Sequence, residues 1–277
     1  MSAKTTAILG KGGAGKTLVA AHLAMAFDYL GAKTLLIGCD QKQDTVRALS
    51  GETRCSLMEA LETKAFEYGH VHPEDVIVPV TDFVDVLELG PSPVLVGHYA
   101  AVLDESFHWF RRHDLLEQYA QVVFDVTDER WDAVLAPLFR RVQHAVAVTR
   151  ESAESLFVIN RLVRAIQIGA VEMHHPLTLV GLINNASRDP LAFERYLEHT
   201  RLFPLLTLPD LPELASLKSF HRTLFTLKSR NPGLQRIHDG FVKIAELLRG
   251  DPLNLYTVST LPDDQIWRLA PAVSLPN

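Results

Sequence analysis

The sequence predicts an α/β fold in which helices cover both faces of a mostly parallel, twisted sheet. Segments of strand type and of helix type alternate along most of the chain, as this class of fold requires. The strand segments are almost continuous apolar runs, such as VVFDV at 122–126 and AVAVT at 145–149, which is typical of strands buried on both faces. A glycine-rich loop also joins the first strand to the first helix, and this order begins a common phosphate-binding motif.

Hydrophobic periodicity places the elements along the chain. The predicted strands are short and apolar, and they lie at Thr5–Leu9, Thr34–Ile37, Val84–Leu89, Val122–Val126, Ala145–Thr149, Leu177–Ile183 and Phe203–Leu206. The predicted helices have apolar residues three and four apart, at Leu18–Leu30, Leu57–Glu67, Tyr99–Gln118, Asp132–Arg140, Ala153–Ile168 and Leu234–Leu248. We divide the chain into one domain over residues 1–249 and an extended C-terminal tail over 250–277, where prolines replace the periodicity.

The composition excludes several classes of protein. With 277 residues, 47% of them hydrophobic, the chain is long enough for one sizeable α/β domain. Its net charge of −6 argues against broad binding of nucleic acid or anionic membranes. No apolar run approaches the roughly 18 residues of a membrane span, and two cysteines, Cys39 and Cys55, provide no disulfide framework. We therefore expect a cytoplasmic protein with neither a nucleic-acid nor a membrane partner.

The loop at residues 10–17 carries the strongest functional signal. It reads GKGGAGKT and fits the phosphate-binding pattern G-x-x-x-x-G-K-[ST] of the P-loop NTPase fold. In such loops backbone N–H groups surround phosphate oxygens, the lysine contacts the terminal phosphates, and the hydroxyl binds Mg²⁺. The pattern predicts ATP and Mg²⁺ as cofactors and nucleotide binding by the whole loop, Gly10, Lys11, Gly12, Gly13, Ala14, Gly15, Lys16 and Thr17.

A second lysine in this loop, Lys11, reduces the number of families that the loop can belong to. The form GKGG-x-GK[ST] resembles the deviant Walker A loop of the nitrogenase iron protein, its chlorophyll-pathway relatives, and the septum- and chromosome-positioning ATPases. This resemblance implies a homodimer in which Lys11 of one subunit contacts the nucleotide of the other. It also implies catalytic roles for Lys11 and Lys16. A solvated lysine without such a role is the alternative.

Residues 35–45, LLIGCDQKQDT, closely resemble the segment GCDPKxD[ST] of the iron-protein branch. The resemblance implies that Asp40 lies near Mg²⁺ and that Asp44 positions the attacking water. Hydrolysis does require an acceptor that orients water and cations that offset developing charge. Gln41 stands where the family has proline, so this switch is expected to be looser. An ordinary polar loop after a strand remains the alternative.

The resemblance continues through about residue 248 and adds further site residues. Residues 155–166 resemble a helix of the chlorophyllide a reductase X subunit. In GLINNAS, residues 181–187, Asn185 aligns with an adenine-binding asparagine, although a strand-end cap is the alternative. Asp125 is expected in the Mg²⁺ shell, so the metal set is Thr17, Asp40 and Asp125. Asp128 stands where the family has a glycine that meets the γ-phosphate, which favours either a rearranged loop or weaker switching.

The two places that carry cluster ligands in the family hold no cysteine. Iron proteins bind one [4Fe–4S] cluster between two subunits with two cysteines from each, and Gly97 and Asp132 stand at those positions. Iron–sulfur clusters need thiolate or, less often, imidazole ligands. We therefore expect no iron–sulfur cluster and interpret Cys39 and Cys55 as structural residues.

The function predicted from these observations is an ATP-binding, slowly ATP-hydrolysing homodimeric switch that times binding to a partner protein. The partner is expected to dock near residues 90–98 and 127–135, the loops that face it in the family. One alternative is the ATP-dependent reductase component of a chlorophyllide reductase-like or nitrogenase-like complex. A second is an ATP-binding adaptor without turnover, and a third is a positioning or metal-insertion ATPase.

Overall fold

A computed structural model describes residues 3–39, 42–68, 70–91, 99–126, 138–173, 178–186, 191–209, 211–219, 221–228, 231–250 and 259–269. Within these ranges one sheet contains the strands β1 (Lys4–Gly10), β2 (Thr34–Gly38), β3 (Val78–Pro79), β4 (Val84–Glu88), β5 (Gln121–Asp125), β6 (His144–Thr149), β7 (Thr178–Ala186) and β8 (Phe203–Pro209). Their order is β3-β4-β2-β5-β1-β6-β7-β8. The short β3 pairs antiparallel with β4, and the other described pairs are parallel, so the predicted fold class is confirmed.

The described helices connect these strands. They are α1 (Lys16–Tyr29), α2 (Asp44–Ser50), α3 (Leu57–Tyr68), α4 (Pro73–Val76), α5 (Tyr99–Arg112), α6 (Ala153–Met173), α7 (Leu191–Thr200), α8 (Pro212–Ser219), α9 (Pro232–Arg249) and α10 (Asp263–Leu269). Two turns of 3-10 helix lie at Leu116–Gln118 and Leu224–Thr226. In the part of the chain that the structure describes, no helix is long and apolar enough to cross a membrane.

The sheet separates two hydrophobic cores, because neighbouring residues of a strand point to opposite faces. Ile8 packs with Phe27 of α1 and Phe241 of α9 on one face. Leu9, the next residue of β1, packs with α3, α5 and α6 on the other. Both faces of the central strands are therefore covered, as their continuous apolar sequences predict.

Several elements differ from the sequence prediction. The helix expected to run to Gln118 ends at Arg112 and is followed by a short 3-10 turn. Helices α2, α7 and α8 were not predicted, because seven to ten residues give too few turns for a clear apolar period. Most of the helix predicted over Asp132–Arg140 lies outside the described residues.

The C-terminal segment is partly helical and packs on the body. Residues 263–269 form α10 rather than the extended chain that the sequence predicts, with two aspartates in the first turn and Arg268 in the last. Such charges stabilise a helix through its dipole. Ile266 is fully buried, and the Asn160 side chain of α6 both donates to the Leu261 carbonyl at 2.8 Å and accepts from its N–H at 2.9 Å. The domain boundary at residue 249 stays a prediction.

Candidate functional site

The glycine-rich loop lies at the carboxyl edge of the sheet, directly after the central strand β1. In sheet order β5 stands between β2 and β1, while β6 lies on the other side of β1. Connections that leave a parallel sheet in opposite directions open a crevice at the carboxyl ends, where ligands bind. The predicted loop therefore occupies the place where this topology forms a binding cleft.

Two glycines of the loop are required by its geometry. A Cβ atom at Gly10 would lie 2.1 Å from the carbonyl oxygen of Val148 on β6, so any larger residue would separate the loop from the sheet. Gly15, the N-cap residue before α1, has the left-handed conformation with φ of 100°, which favours glycine. The backbone then enters α1 with no acidic residue in its first turn. Because the N-terminus of α1 lies at the loop, so does the positive end of the helix dipole, and no acidic side chain in the first turn offsets it.

The loop is closed by contacts to one carbonyl. The Ala14 N–H donates to the Lys11 carbonyl at 3.1 Å, and the Lys16 ammonium group donates to the same oxygen at 3.3 Å. Lys11 itself is half-exposed, and Gly12 and Gly13 are exposed. The ammonium of Lys16 is therefore held above the loop, in the place where a lysine can exchange a carbonyl for a phosphate oxygen.

Asp125 ends β5 beside the loop and is buried. The hydroxyl of Thr45 on α2 donates to its Oδ2 atom at 3.0 Å. Burial raises the pKa of Asp125 to about 6, against hydrogen bonds from Thr17 and Thr45 and the positive charge of Lys16, which lower it. A carboxylate and a hydroxyl together suit Mg²⁺, which uses one or two protein ligands and completes its shell with phosphate and water. Thr17 and Asp125 fit this donor set.

Asp44 is the first residue of α2 and lies at the same edge. Its charge is one of the causes that raise the pKa of Asp125 and of Glu88. The three carboxyl groups therefore share one region beside the phosphate-binding loop. A divalent cation beside such a group of carboxylates would offset their charge.

The sequence interpretation missed Glu88, the last residue of β4. Its side chain is 2% exposed, and its Oε1 atom accepts the Val46 N–H at 2.8 Å. Among the described residues its Oε2 atom has no hydrogen-bond partner. Burial, which is the largest of several causes, raises the pKa of Glu88 to about 8. The available signal was one acid inside the apolar run VLELG at the end of a predicted strand.

The structure does not test several of the predicted site residues. Asn185 lies near the end of β7, two strands from β1 and at the same carboxyl edge. Asp40, Gln41, Gly97, Asp128 and Asp132 lie outside the described residues. The roles assigned to these residues stay predictions.

The two cysteines occupy positions that do not suit a bridging cluster. Cys39 is buried, and its backbone N–H donates to the Asp125 carbonyl at 2.9 Å. Its Sγ atom contacts the Ile37 carbonyl at 3.8 Å, and that of Cys55 contacts the Ser56 carbonyl at 3.6 Å. A cluster shared by two protomers needs thiolates at the surface of each. Cys39 is buried and Cys55 is only partly exposed, so the two cysteines do not provide the pair of surface thiolates from each protomer that such a cluster takes.

Comparison with known proteins identifies sequence relatives. A profile of the family described as "4Fe-4S iron sulfur cluster binding proteins, NifH/frxC family" matches residues 4–260. The light-independent protochlorophyllide reductase iron-sulfur ATP-binding protein of Halorhodospira halophila is 30% identical over 269 residues, which cover 96% of this chain and 88% of that protein. The protein of the same name from Methylorubrum populi is 31% identical over 247 residues, covering 89% and 82%.

Solved structures of P-loop ATPases share the fold. The MinD cell division protein of Aquifex aeolicus has a TM-score of 0.66 and 18% identity, covering 92% of this chain and all of that chain. A ParA family ATPase from Chlorobium tepidum has a TM-score of 0.67 and 15% identity, covering 88% and 98%. At these identities the likeness shows the fold alone, and it agrees with the predicted P-loop class.

We predict that Glu88 makes the stability of the nucleotide-free protein depend on pH. The folded state holds the Glu88 proton up to about pH 8, whereas an ordinary glutamate has a pKa of 4.5. The contribution of Glu88 to the free energy of unfolding is therefore fully present below pH 4.5 and is lost as the pH rises toward 8. Relative to Glu88→Gln, the wild-type free energy of unfolding should fall by up to about 1.4 kcal/mol per pH unit in this window. Urea denaturation at several pH values measures it.

The matched control is Glu117→Gln, which changes an exposed glutamate. The difference in free energy of unfolding between this variant and the wild type should not change with pH between 4.5 and 8. A flat difference for Glu88→Gln as well would contradict the burial argument.

Proposed function

We propose, because this chain belongs to the NifH/frxC family of 4Fe-4S iron–sulfur cluster binding proteins, that it is an ATP-driven homodimeric switch that has lost the cluster. Family membership also makes it a P-loop ATPase of the NifH/BchX-like group. The proposal adds slow hydrolysis, nucleotide-timed dimer closure and timed binding of a partner protein. We place this activity in the cytoplasm, as the cysteine content predicts.

One observation carries the proposal. The phosphate-binding loop, Asp125 and the first turn of α2 meet at a single edge of the sheet, where Thr45 bonds Asp125 at 3.0 Å. Phosphoryl transfer depends mostly on positioning and electrostatics. This arrangement supplies both, since Lys16 and the start of α1 are positive and the carboxyl groups face them.

The proposal gives each residue the role that the resemblance to the iron-protein family implies. Lys16 and the loop N–H groups bind the phosphates, and Thr17 and Asp125, with Asp40, hold the Mg²⁺ that neutralises phosphate charge when bound. Asp44 accepts a hydrogen bond from the attacking water and orients it. Lys11 contacts the nucleotide of the partner subunit, and Asn185 contacts adenine. The half-exposure of Lys11 supports a contact beyond its own subunit.

The loss of the cluster is supported by the placement of the cysteines. Cys39 is buried at the nucleotide edge, and Cys55 is bound locally to the next residue. Gly97 and Asp132 stand at the family's ligand positions. Without those ligands, the loops near residues 90–98 and 127–135 are available for protein docking. They are rich in apolar residues, including Leu95 and Trp131, which is typical of interaction sites.

A second candidate function is favoured by the names of the relatives. Proteins that are 30% identical to this chain are named as iron-sulfur ATP-binding proteins of a protochlorophyllide reductase. A reductase component would deliver electrons to a catalytic partner, and it would need a redox centre. Iron analysis therefore separates this candidate from the cluster-free switch.

We predict that Lys16→Ala abolishes ATP binding, because it removes the ammonium group that contacts the terminal phosphates. Asp44→Asn should retain binding and lose turnover, because an amide does not orient the water equally well. Calorimetry measures binding and phosphate release measures turnover. The controls, Lys228→Ala and Asp82→Asn, alter exposed residues and should behave as the wild type. A wild-type protein without affinity for ATP would end the proposal.

We predict that protein purified without oxygen contains no iron–sulfur cluster. Iron and labile sulfide should be near zero, whereas one cluster per dimer would give about four irons. The visible spectrum should lack the absorption of thiolate–iron charge transfer. Stoichiometric iron and sulfide would favour the reductase candidate instead.

We predict that ATP closes a homodimer through Lys11. Asp44→Asn should accumulate the closed form with ATP, because turnover no longer empties it. Lys11→Ala should weaken closure more than ATP binding, since Lys16 already serves the nucleotide of its own subunit. Light scattering with ATP and with ADP measures the mass. An equal mass in both nucleotides would contradict a nucleotide-timed dimer.

A further inference from the structure

We propose that Glu88 is a positioning residue for ATP hydrolysis: from β4 it fixes the first turn of α2, and therefore Asp44, against the phosphate-binding edge. The inference rests on the proposed function, because Asp44 is the residue that orients the water. Glu88 itself does not contact the nucleotide. It acts through the backbone of α2.

The register of three strands brings two carboxyl groups to either side of one glycine. Asp125 of β5 pairs with Gly38 of β2, and Gly38 pairs with Glu88 of β4. Residues paired in this way lie side by side on the same face of a sheet. Two carboxyl groups therefore flank a position that has no side chain.

Helix α2 fills this position. A Cβ atom at Gly38 would lie 2.7 Å from the hydroxyl oxygen of Thr45 and 2.0 Å from the Oε2 atom of Glu88. Gly38 therefore leaves the space in which Thr45 sits between the two acids. Thr45 donates its hydroxyl to Asp125, while the backbone of α2 turns toward Glu88.

The N-cap residue of α2 provides no side-chain acceptor for the first turn of the helix. The first N–H groups of a helix have no partner within the helix, and the Gln43 side chain at the N-cap makes no capping hydrogen bond. Glu88 accepts the Val46 N–H at 2.8 Å, and a hydrogen bond from the backbone of Thr45 also lowers its pKa. A side chain from another strand thus takes the place of the N-cap residue.

Helix α2 is too short to hold its position without contacts from other elements. Seven residues are too few for a helix that is stable alone, so its position depends on outside contacts. At its other end the His221 ring donates to the Arg47 carbonyl. Removing the contact from Glu88 would leave the C-terminal end of α2 held, while the end that carries Asp44 would keep the hydroxyl contact from Thr45 to Asp125 and lose its backbone acceptor.

The test compares Glu88→Gln with Glu88→Met in the full-length protein. Glutamine keeps a carbonyl that can accept from Val46, whereas methionine has a similar length and no comparable acceptor. In Glu88→Met, hydrogen exchange of the peptide that spans residues 44–50 should rise by about tenfold, the effect of losing a helix cap. In Glu88→Gln it should stay close to the wild type. This readout needs no ATPase activity.

Turnover should follow the same pattern. Glu88→Met should lower kcat by about tenfold or more and leave KM for ATP within about twofold, because the phosphate-binding loop is intact. Glu88→Gln should restore kcat. Combined with Asp44→Asn, the methionine variant should cause no further loss, because both changes act on the same step.

The control is Gln121→Leu, which removes another buried polar side chain from the same sheet at its opposite edge. It should change neither the exchange of residues 44–50 nor kcat. If Glu88→Met does not fold, Glu88→Ala replaces it, since a cavity causes no crowding. Equal exchange and equal kcat in the methionine and wild-type proteins would overturn the inference. Faster exchange and lower kcat in Glu88→Gln would also overturn it, because that variant keeps an acceptor for the Val46 N–H.

The two proposals fail in different ways. If the wild type binds no ATP or Asp44→Asn retains turnover, the proposed function fails, while the exchange result still decides whether Glu88 holds α2. If exchange rises in Glu88→Met while kcat stays unchanged, Glu88 is a structural residue and the positioning role is wrong.

Discussion

The candidate site depends on the way in which three parallel strands end in register at one edge of the sheet. Asp125, Gly38 and Glu88 lie side by side across β5, β2 and β4. The missing side chain at Gly38 admits Thr45 of α2 between the two acids. The position of Asp44 relative to the phosphate-binding loop therefore depends on this strand pairing, because the next two residues of α2, Thr45 and Val46, donate hydrogen bonds to Asp125 and Glu88.

This arrangement places three carboxyl groups at the edge of the sheet that holds the phosphate-binding loop. Burial raises the pKa of Asp125 to about 6 and that of Glu88 to about 8, and Asp44 adds to both effects. Lys16 and the positive end of α1 oppose the charge of the ionised carboxylates. A divalent cation held by Thr17 and Asp125 would offset further carboxylate and phosphate charge.

Fold and function separate clearly in this chain. Its architecture is shared with MinD and ParA proteins at 15–18% identity, while its sequence places it in a family named for an iron–sulfur cluster. Chemistry depends on particular residues on a fold. Here the phosphate-binding loop is complete, whereas Cys39 and Cys55 lie in places that do not suit a shared cluster. The phosphate-binding loop, together with the lack of cysteine at the positions that the resemblance assigns to the cluster ligands, is why we propose a switch rather than a reductase.

The sequence by itself determined the class of fold and the phosphate-binding loop. Both are local or periodic properties: continuous apolar strands identify a buried parallel sheet, and Gly10, Lys16 and Thr17 lie at a fixed spacing. Short helices such as α2 and α10 escaped it, because seven residues carry little periodicity.

Only the tertiary structure decided the partners of each acidic group. Glu88 and Asp125 are 37 residues apart in the chain, and they flank the same glycine because β4 and β5 both pair with β2. Their burial and the hydrogen bonds to α2 follow from that pairing. No local pattern encodes it, since strand order depends on how helices pack across the whole sheet.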